Sequence, residues 1–171
     1  WGLGTTGVAG AVTDTNSLVG STAGDRVGNL GVTALTNGNY VVASTQSDIG
    51  APNAGSVTWA NGATGLSGSP TAANSLYGTA EGDAGADIVP LANGHAVLAS
   101  PGWGAGRGAV TWIDGTTGLT GAISSLNSLV GASQNDQFGV EVTALTDGSY
   151  VVTASLGGTG QAVWVSGTGP R

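Results

Sequence analysis

The sequence predicts an all-β protein made of three four-stranded antiparallel repeat units. A stretch that begins with Asn-Ser-Leu recurs at Asn16, Asn74 and Asn127, with periods of 58 and 53 residues, and such periods are typical of tandem β architectures. The chain of 171 residues contains 33 glycines, which separate short apolar runs. Helical periodicity does not extend over any useful window.

The first two strands of each unit are predicted to form a hairpin. The first strand is a short apolar run at residues 32–35, 88–91 and 142–145. The turn that follows is Asn37-Gly38, Asn93-Gly94 or Asp147-Gly148. These dipeptides accept positive φ at little cost and build tight hairpin turns. The second strand, at residues 40–44, 95–100 and 150–154, is rich in Val and aromatic residues, as a half-buried strand should be.

The third strand is predicted from an alternation of apolar and polar residues at 57–59, 110–112 and 162–164. Alternation places Val and Trp on one face and Thr on the other. We therefore expect Trp59, Trp112 and Trp164 to pack in the core or between sheets. A Gly-Thr-Thr-Gly-type turn then leads to a fourth strand, predicted around Leu66, Leu119 and Val8. The Asn-Ser-Leu stretches are interpreted as turns that join one unit to the next.

The unit boundaries indicate a permuted arrangement within a single repeat domain, 1–171. Residues 1–15 resemble the tail of a repeat, because Trp1 aligns with Trp59 and Trp112, and they are predicted to be the fourth strand of a permuted unit. Repeat 1 spans 16–73, repeat 2 spans 74–126, and repeat 3 spans 127–171 without its last strand. The missing strand would come from residues 1–15 of the same or another chain.

Three architectures accept such units. We favour β-propeller-like blades, since consecutive strands joined by tight turns indicate simple meanders. A closed propeller usually has four to eight blades, so three units would be part of a ring or half of a dimer. The alternatives are a three-sheet β-prism and a β-trefoil, which use three four-strand units directly.

Composition excludes several classes of function. The net charge is −7, which disfavours binding to nucleic acid or to anionic membranes. An apolar run of the roughly 20 residues needed to span a bilayer is missing from the sequence, so we expect no membrane insertion. The lack of Cys rules out disulfides and fits an extracellular or bacterial cell-surface location. The first residue, Trp1, indicates a processed chain or a segment of a longer one.

Few residues are candidates for chemistry. His95 is the only histidine, and we assign it to the position that Tyr40 and Tyr150 occupy in the other repeats, where it packs on a strand face. Without a second His or any Cys, we expect no catalytic residues, no metal site and no cofactor. We therefore predict that the chain is not an enzyme.

Two groups of residues are candidate ligand sites. An aspartate recurs before the first strand of each unit, at Asp25, Asp83 and Asp136. These carboxylates could bind a cation or a sugar hydroxyl, but we favour Asx-turns in which they accept N–H groups two residues further on. The other group is Trp103 and Arg107, which lie in a Gly-rich loop where no repeat requires an aromatic residue. Their side chains could stack on a sugar or contact a protein, or the ring could fold onto its own sheet.

The sequence of the repeats resembles that of repeats in very long bacterial surface proteins of the filamentous-haemagglutinin-like kind. The stretches that carry this resemblance are NSLVGSTAGDRVG, VTALTNGNYVVAS and GAVTW, and it covers essentially the whole chain. It implies a secreted or surface-displayed tandem array with an adhesive or structural role, and it brings no catalytic residues.

The sequence therefore predicts a non-enzymatic extracellular repeat protein that acts in structure, assembly or adhesion. Its partners would be other copies of itself or neighbouring repeats, joined by strand complementation through Trp1, Val8, Val163 and Trp164. Head-to-tail joining would build a filament. The alternative is a multivalent lectin with one weak glycan site per repeat.

Overall fold

A computed structural model describes residues 2, 7, 9–85, 87–155 and 158–169 of the chain. The described part is nearly all β, which confirms the predicted fold class. Its strands are β1 (Gly31–Ala34), β2 (Tyr40–Ser44), β3 (Ser56–Ala60), β4 (Ser75–Tyr77), β5 (Asp87–Pro90), β6 (Ala96–Ser100), β7 (Ala109–Ile113), β8 (Gly121–Ala122), β9 (Ser128–Val130), β10 (Glu141–Ala144), β11 (Tyr150–Ala154) and β12 (Gln161–Val165). The only described helix, α1, is the single turn Trp103–Gly106.

The strands form three sheets, and each sheet contains the first three strands of one repeat. The first has the order β1-β2-β3-β4-β8, the second β5-β6-β7-β9, and the third β10-β11-β12. All neighbours are antiparallel except β4 and β8, which run parallel. The sheets are meanders, as the sequence predicts, and closure into a ring is not seen among the described residues.

Each sheet begins with a hairpin whose loop has three residues. In the first sheet the Leu35 N–H donates to the Asn39 carbonyl at 2.8 Å, which closes the loop. Only the glycine of each loop has positive φ, with values of 88°, 89° and 87° at Gly38, Gly94 and Gly148. A three-residue hairpin needs one left-handed residue at its end, so the preceding Asn or Asp keeps an ordinary φ. The prediction that each turn needs its glycine is therefore correct. The expectation that the Asn or Asp before it also adopts positive φ is wrong.

The fourth strand lies further along the chain than the sequence predicts. Leu76 of β4 pairs opposite Val57 of β3, and Leu129 of β9 pairs opposite Val110 of β7. The prediction of fourth strands around Leu66 and Leu119 is therefore wrong. The fourth strands are formed by the Asn-Ser-Leu stretches, which had been predicted to be turns between units. Val8 lies outside the described residues.

The segment after Leu119 has a different partner. It forms β8, which pairs in parallel with β4 and so extends the sheet of the preceding repeat. The isolated parallel bridge between Leu18 and Gly68 repeats this arrangement one unit earlier. After β7 of the second sheet, the chain first adds β8 to the first sheet and then adds β9 to the second sheet. Local alternation of residues cannot show which sheet such a segment joins, so the sequence did not predict it.

The sheets stack face to face, and each interface holds one apolar core. Val41, Ala43, Val57 and Leu76 of the first sheet pack with Ile88, Leu98 and Ile113 of the second. The other face of the second sheet contributes Val97 and Val110, which pack with Tyr150, Val152 and Phe138 of the third. Alternating residues of β6 therefore serve two different cores, and the central sheet is buried on both faces.

Membrane-spanning helices are not found in the described part of the chain, whose one helix has four residues.

Candidate functional site

The loop that contains Trp103 and Arg107 folds onto its own sheet. Gly104 and Ala105 both have φ of 60°, so the turn is left-handed inside, and this brings the indole back against the first core. The Arg107 guanidinium carbon lies 5.7 Å from the centre of the Trp103 ring, within cation–π range. The Arg107 Nε also donates to the Gly131 carbonyl at 3.0 Å. The Trp103 Nε1 is buried without a hydrogen-bond partner among the described residues.

The three recurrent aspartates are buried in the turns before the first strands. Their exposed fractions are 3% for Asp25, 4% for Asp83 and 7% for Asp136. Each carboxylate accepts N–H groups from residues that precede it, such as Ser21 and Thr22 for Asp25, at 2.7 and 2.8 Å. The predicted Asx-turn direction is therefore wrong, because the chain bends back over the carboxylate before it reaches the aspartate.

Two of these carboxylates also bind a second loop. Asp25 accepts the Asp48 N–H at 3.3 Å, and Asp83 accepts the Gly104 N–H at 3.2 Å. Both donors lie in the loop after the second strand, so the aspartate ties that loop to the turn before the first strand. A ligand role for Asp25, Asp83 and Asp136 stays a prediction.

The hydrogen bonds of Asp25 lower its pKa. Burial alone would raise the pKa, but the N–H and hydroxyl groups of Thr22 and Ser21 stabilise the charged form, and their effect is larger. The site is thus arranged for a permanent carboxylate. Among the described residues, groups of three or more His, Asp or Glu side chains placed to hold a metal ion are not found.

The asparagine of each Asn-Ser-Leu stretch organises the turn that precedes its strand. The Asn74 Oδ1 accepts the Thr71 N–H at 2.7 Å, and its Nδ2 donates to the Ser69 carbonyl at 3.0 Å. Asn16 and Asn127 make the equivalent bonds. The prediction that these residues act in turns is confirmed, although the following Ser and Leu belong to a strand.

His95 does not occupy the position of the tyrosines. Ala96 pairs opposite Pro90 as Tyr40 pairs opposite Ala34, so His95 is equivalent to Asn39 instead. Its Nδ1 accepts the Gly115 N–H at 3.1 Å, while the Asn39 Oδ1 accepts the Gly62 N–H at 3.0 Å. The sequence prediction is corrected by one residue, and the shared role of this position is to fix the loop after the third strand.

His95 lies beside one aromatic ring and one carboxylate. Its ring centre is 4.6 Å from that of Trp112 at an angle of 48°, and its Nδ1 is 3.7 Å from Asp114 Oδ1. Burial raises the pKa of Asp114, but the Thr116 N–H and His95 lower it further than burial raises it. With its Nδ1 occupied by the Gly115 N–H, this imidazole serves packing.

The most regular polar feature of the molecule is the joint between successive repeats. The Trp59 Nε1 of repeat 1 donates to the Gly115 carbonyl of repeat 2 at 3.0 Å. The Asn37 Nδ2 donates to the same carbonyl at 2.8 Å. One repeat later, Trp112 and Asn93 donate to the Gly167 carbonyl at 3.0 and 2.9 Å. We call this group of Trp, Asn and the facing Gly carbonyl the joint cluster.

Glycine is required at the acceptor position because the hairpin of its own repeat lies against it. A β-carbon on Gly115 would lie 1.7 Å from the Gly94 carbonyl oxygen, and one on Gly167 would lie 1.7 Å from that of Gly148. A β-carbon on Gly118 would lie 2.7 Å from the Trp59 β-carbon. The tryptophan of the preceding repeat therefore packs against the Gly-Thr-Thr-Gly turn, as Trp59 does against Gly115 and Gly118.

Backbone hydrogen bonds fasten the other side of each joint. The Gly82 N–H donates to the Asn53 carbonyl at 3.0 Å, and the Ala84 N–H donates to the Ala54 carbonyl at 2.8 Å. In the next joint, Gln137 and Phe138 donate in the same way to Gly106 and Arg107, at 2.9 and 3.1 Å. The Arg107 carbonyl thus takes part in a joint.

The predicted assembly residues have different surroundings. Trp164 has 62% of its surface exposed, and its Nε1 donates to Ser149 Oγ at 3.1 Å. Val163 packs against the second core. Trp1 and Val8 lie outside the described residues. Sequence reasoning missed Asn37 and Asn93 as joint residues, since their turn propensity already explained them, but their recurrence in the same repeats as Trp59 and Trp112 is a signal that could have found them.

Comparison with known families agrees with the repeat architecture. A family described as a repeat of unknown function (DUF5650) matches residues 1–29, 34–86 and 90–140. The chain belongs to this repeat family. The match does not support the resemblance to filamentous-haemagglutinin-like proteins. Neither curated proteins nor solved structures give a match.

Proposed function

We propose that the chain is a non-enzymatic structural module of an extracellular repeat array. The observation that carries this proposal is the joint cluster: in both joints a Trp and an Asn donate to the facing Gly carbonyl at 2.8–3.0 Å, and Asn39 adds a third donor in the first joint. Repeat arrays derive their stability from such interfaces between neighbours, and an array of this kind acts as an extended support. Adhesion to other surfaces would be a property of the loops that the sheets display.

The acidic and cysteine-free composition supports an extracellular setting for this module. A net charge of −7 favours solubility and keeps the surface apart from anionic lipids. The buried loop carboxylates of Asp25 and Asp83 accept hydrogen bonds from their own loops. The polar residues that recur between repeats thus hold the array together.

If the joints hold the array together, the repeats should unfold together, and this coupling can be tested by urea unfolding. We expect the wild-type protein to unfold in urea in a single transition seen by both tryptophan fluorescence and circular dichroism. Trp59→Ala removes the indole donor and the ring that repeat 1 contributes to its joint, and we expect it to separate the unfolding of repeat 1 from that of the other repeats. Trp164→Ala, at the equivalent exposed position, is the control and should keep one transition. Separate transitions in the wild type would contradict the proposal.

The alternative of a multivalent lectin predicts one glycan site per repeat. The loops equivalent to 103–107, at 45–55 and 155–160, contain no aromatic residue. The single Trp103–Arg107 pair is the observation that favours a sugar contact. A glycan array probed with the wild type and with Trp103→Ala tests it, and binding that is lost in the variant would replace the structural proposal with the lectin.

A further inference from the structure

We infer that the two outer faces of the sheet stack bind each other, so that separate copies of this chain join head to tail through the same joint that connects its repeats. This inference rests on the proposed structural function and names its partner as a second copy. The C-terminal face is the outer face of the third sheet, formed by Val151, Thr153, Ala162 and Trp164. The N-terminal face is the outer face of the first sheet, formed by Val32, Tyr40 and Val42.

The C-terminal face has the residues of a joint but is uncovered. Trp164 is equivalent to Trp59 and Trp112, which are partly buried in joints, yet it is 62% exposed. Leu129 of β9 is equivalent to Leu76 of β4, but their exposed fractions are 44% and 0%. Leu129 does not belong to this outer face: it lies at the open edge of β9, where an apolar groove of about 260 Å³ that also includes Trp112 and Val165 opens between the second and third sheets.

The N-terminal face shows the complementary pattern. Val32 is equivalent to Ile88 of the second sheet, but Val32 is 63% exposed while Ile88, which packs against the first sheet, is 8% exposed. A groove of about 510 Å³ runs along this face and is lined by Val32, Tyr40 and Val42. Val32 is therefore present and uncovered on this face, Tyr40 is half-buried, and Val42 is 7% exposed.

Residues 10–12 provide a strand for the edge of the second sheet. Gly10, Gly68 and Gly121 occupy equivalent positions and have φ values of 110°, 91° and 104°. Val12 is equivalent to Ile123, yet it is 75% exposed while Ile123 is 2% exposed. β4 pairs in parallel with β8, whereas the matching edge of β9 has no such strand among the described residues.

The register of this pairing follows from the inner joint. Leu76 lies opposite Gly121, and Tyr77 lies opposite Ala122. In the contact between copies, Leu129 and Val130 of one copy would then face Gly10 and Ala11 of the other, and Val12 would enter the groove beside β9. The stretch that begins at Asn16 would follow as the fourth strand of the third sheet, next to β12. Adding a strand to an open edge is a common mode of protein recognition.

The contact joins two different faces, so each copy keeps one free face after it binds. Such a heterologous contact leads to a filament if it stays open and to a ring if the rotation closes. A contact between two identical faces would instead stop at a dimer. This difference makes the inference testable with variants that block one face each.

The test uses the full chain and two variants at exposed positions, Val32→Asp for the N-terminal face and Trp164→Asp for the C-terminal face. We expect the wild-type mass in light scattering to rise with concentration from the 16.3 kDa of one chain to species larger than a dimer. Each variant alone should stay at the mass of one chain. An equimolar mixture should form a dimer of about twice that mass, because each variant keeps the face that the other has lost.

Three outcomes would overturn the inference: a wild type that stays monomeric up to millimolar concentration, a variant that still forms larger species by itself, or a mixture that stays monomeric. Circular dichroism shows whether each variant is folded, and Val12→Asp provides a second block at the N-terminal end if Val32→Asp is not. A monomeric wild type with a single unfolding transition would leave the proposed structural function intact. Separate unfolding of the repeats would contradict that function whatever the mass.

Discussion

At the scale of single residues, burial turns candidate ligands into structural groups. Asp25 was one of three aspartates named as candidates for a cation or sugar contact, but it is 3% exposed and its oxygens accept N–H and hydroxyl groups of Ser21 and Thr22. Trp103, the best candidate for stacking, packs against the core of its own sheet. A buried polar group needs its partners inside the protein, so Asp25 stabilises its loop through hydrogen bonds, whereas Trp103 contributes through the packing of its ring.

Asp25→Asn is expected to destabilise the fold in a pH-dependent way. The amide leaves at least one N–H donor unsatisfied, which costs about 1–3 kcal/mol of unfolding free energy at neutral pH. Because the folded pKa of Asp25 lies below its ordinary value of 3.8, the carboxylate's extra stability is complete above that value and is lost as the pH falls through the folded pKa. Urea unfolding at pH 7 and pH 3 should therefore show a smaller difference between wild type and variant at pH 3.

The control for this prediction is Asp87→Asn, which removes the same charge from an exposed residue. Its effect should stay within roughly 0.5 kcal/mol at neutral pH, as for most surface substitutions. A pH-independent difference between Asp25→Asn and wild type would show that the charge of Asp25 does not contribute to stability.

Gly115→Ala tests the close contact between Gly115 and the Gly94 carbonyl in the joint. The added β-carbon would lie 1.7 Å from a backbone oxygen that cannot move without opening the hairpin, so we expect a loss of about 3 kcal/mol or more. Gly82→Ala is the control, since Gly82 has φ of 75° but open space around its α-carbon. That variant should lose only the ~1–2 kcal/mol of a left-handed Ala. Thermal unfolding of the pair separates steric contact from backbone strain, and equal losses would rule out the contact.

At the scale of elements, equivalent strands differ in what covers them. β1 and β5 have the same place in their sheets, but only β5 has a sheet in front of it, so Ile88 is 8% exposed and Val32 is 63% exposed. The same local pattern thus yields a core residue in one repeat and a surface residue in another.

The matched pair Ile88→Ala and Val32→Ala measures this difference. Ile88→Ala should cost about 2–5 kcal/mol, because it leaves a cavity between two sheets. Val32→Ala should stay within roughly 0.5 kcal/mol in dilute protein. Chemical denaturation of both variants at one low protein concentration gives the comparison. A large loss for Val32→Ala in the monomer would mean that its face is covered within the chain.

At the scale of the whole molecule, charge opposes the proposed association of copies. Each copy carries a net charge of −7, so two copies repel each other at long range. Salt shortens this range from roughly 30 Å at 0.01 M to about 8 Å at 0.15 M. We therefore expect light scattering to show more association as the salt concentration rises. Association that weakens with salt would indicate ion pairing in place of the apolar faces.

The architecture was predictable from sequence where the signal is local. The first three strands of each unit were placed within one or two residues of their observed bounds, because alternation and turn glycines are properties of neighbouring residues. The position of His95 was missed by one residue, although His95 follows Gly94 as Asn39 follows Gly38, and the pairing of Ala96 with Pro90 shows the same equivalence.

The threefold repeat, the all-β class and the hairpin glycines could be predicted from the sequence, because they follow from periodicity and backbone conformation. The places of the fourth strands, the carbonyl that accepts each indole N–H, and the apolar residues that stay uncovered became visible only in the folded chain. The indole bonds join residues more than 50 positions apart, such as Trp59 with Gly115, and the fourth strand pairs across a long loop, as Leu76 does with Val57. A short strand such as Ser75–Tyr77 has too few residues to show alternation, so its identity is fixed by the partner that it meets in space.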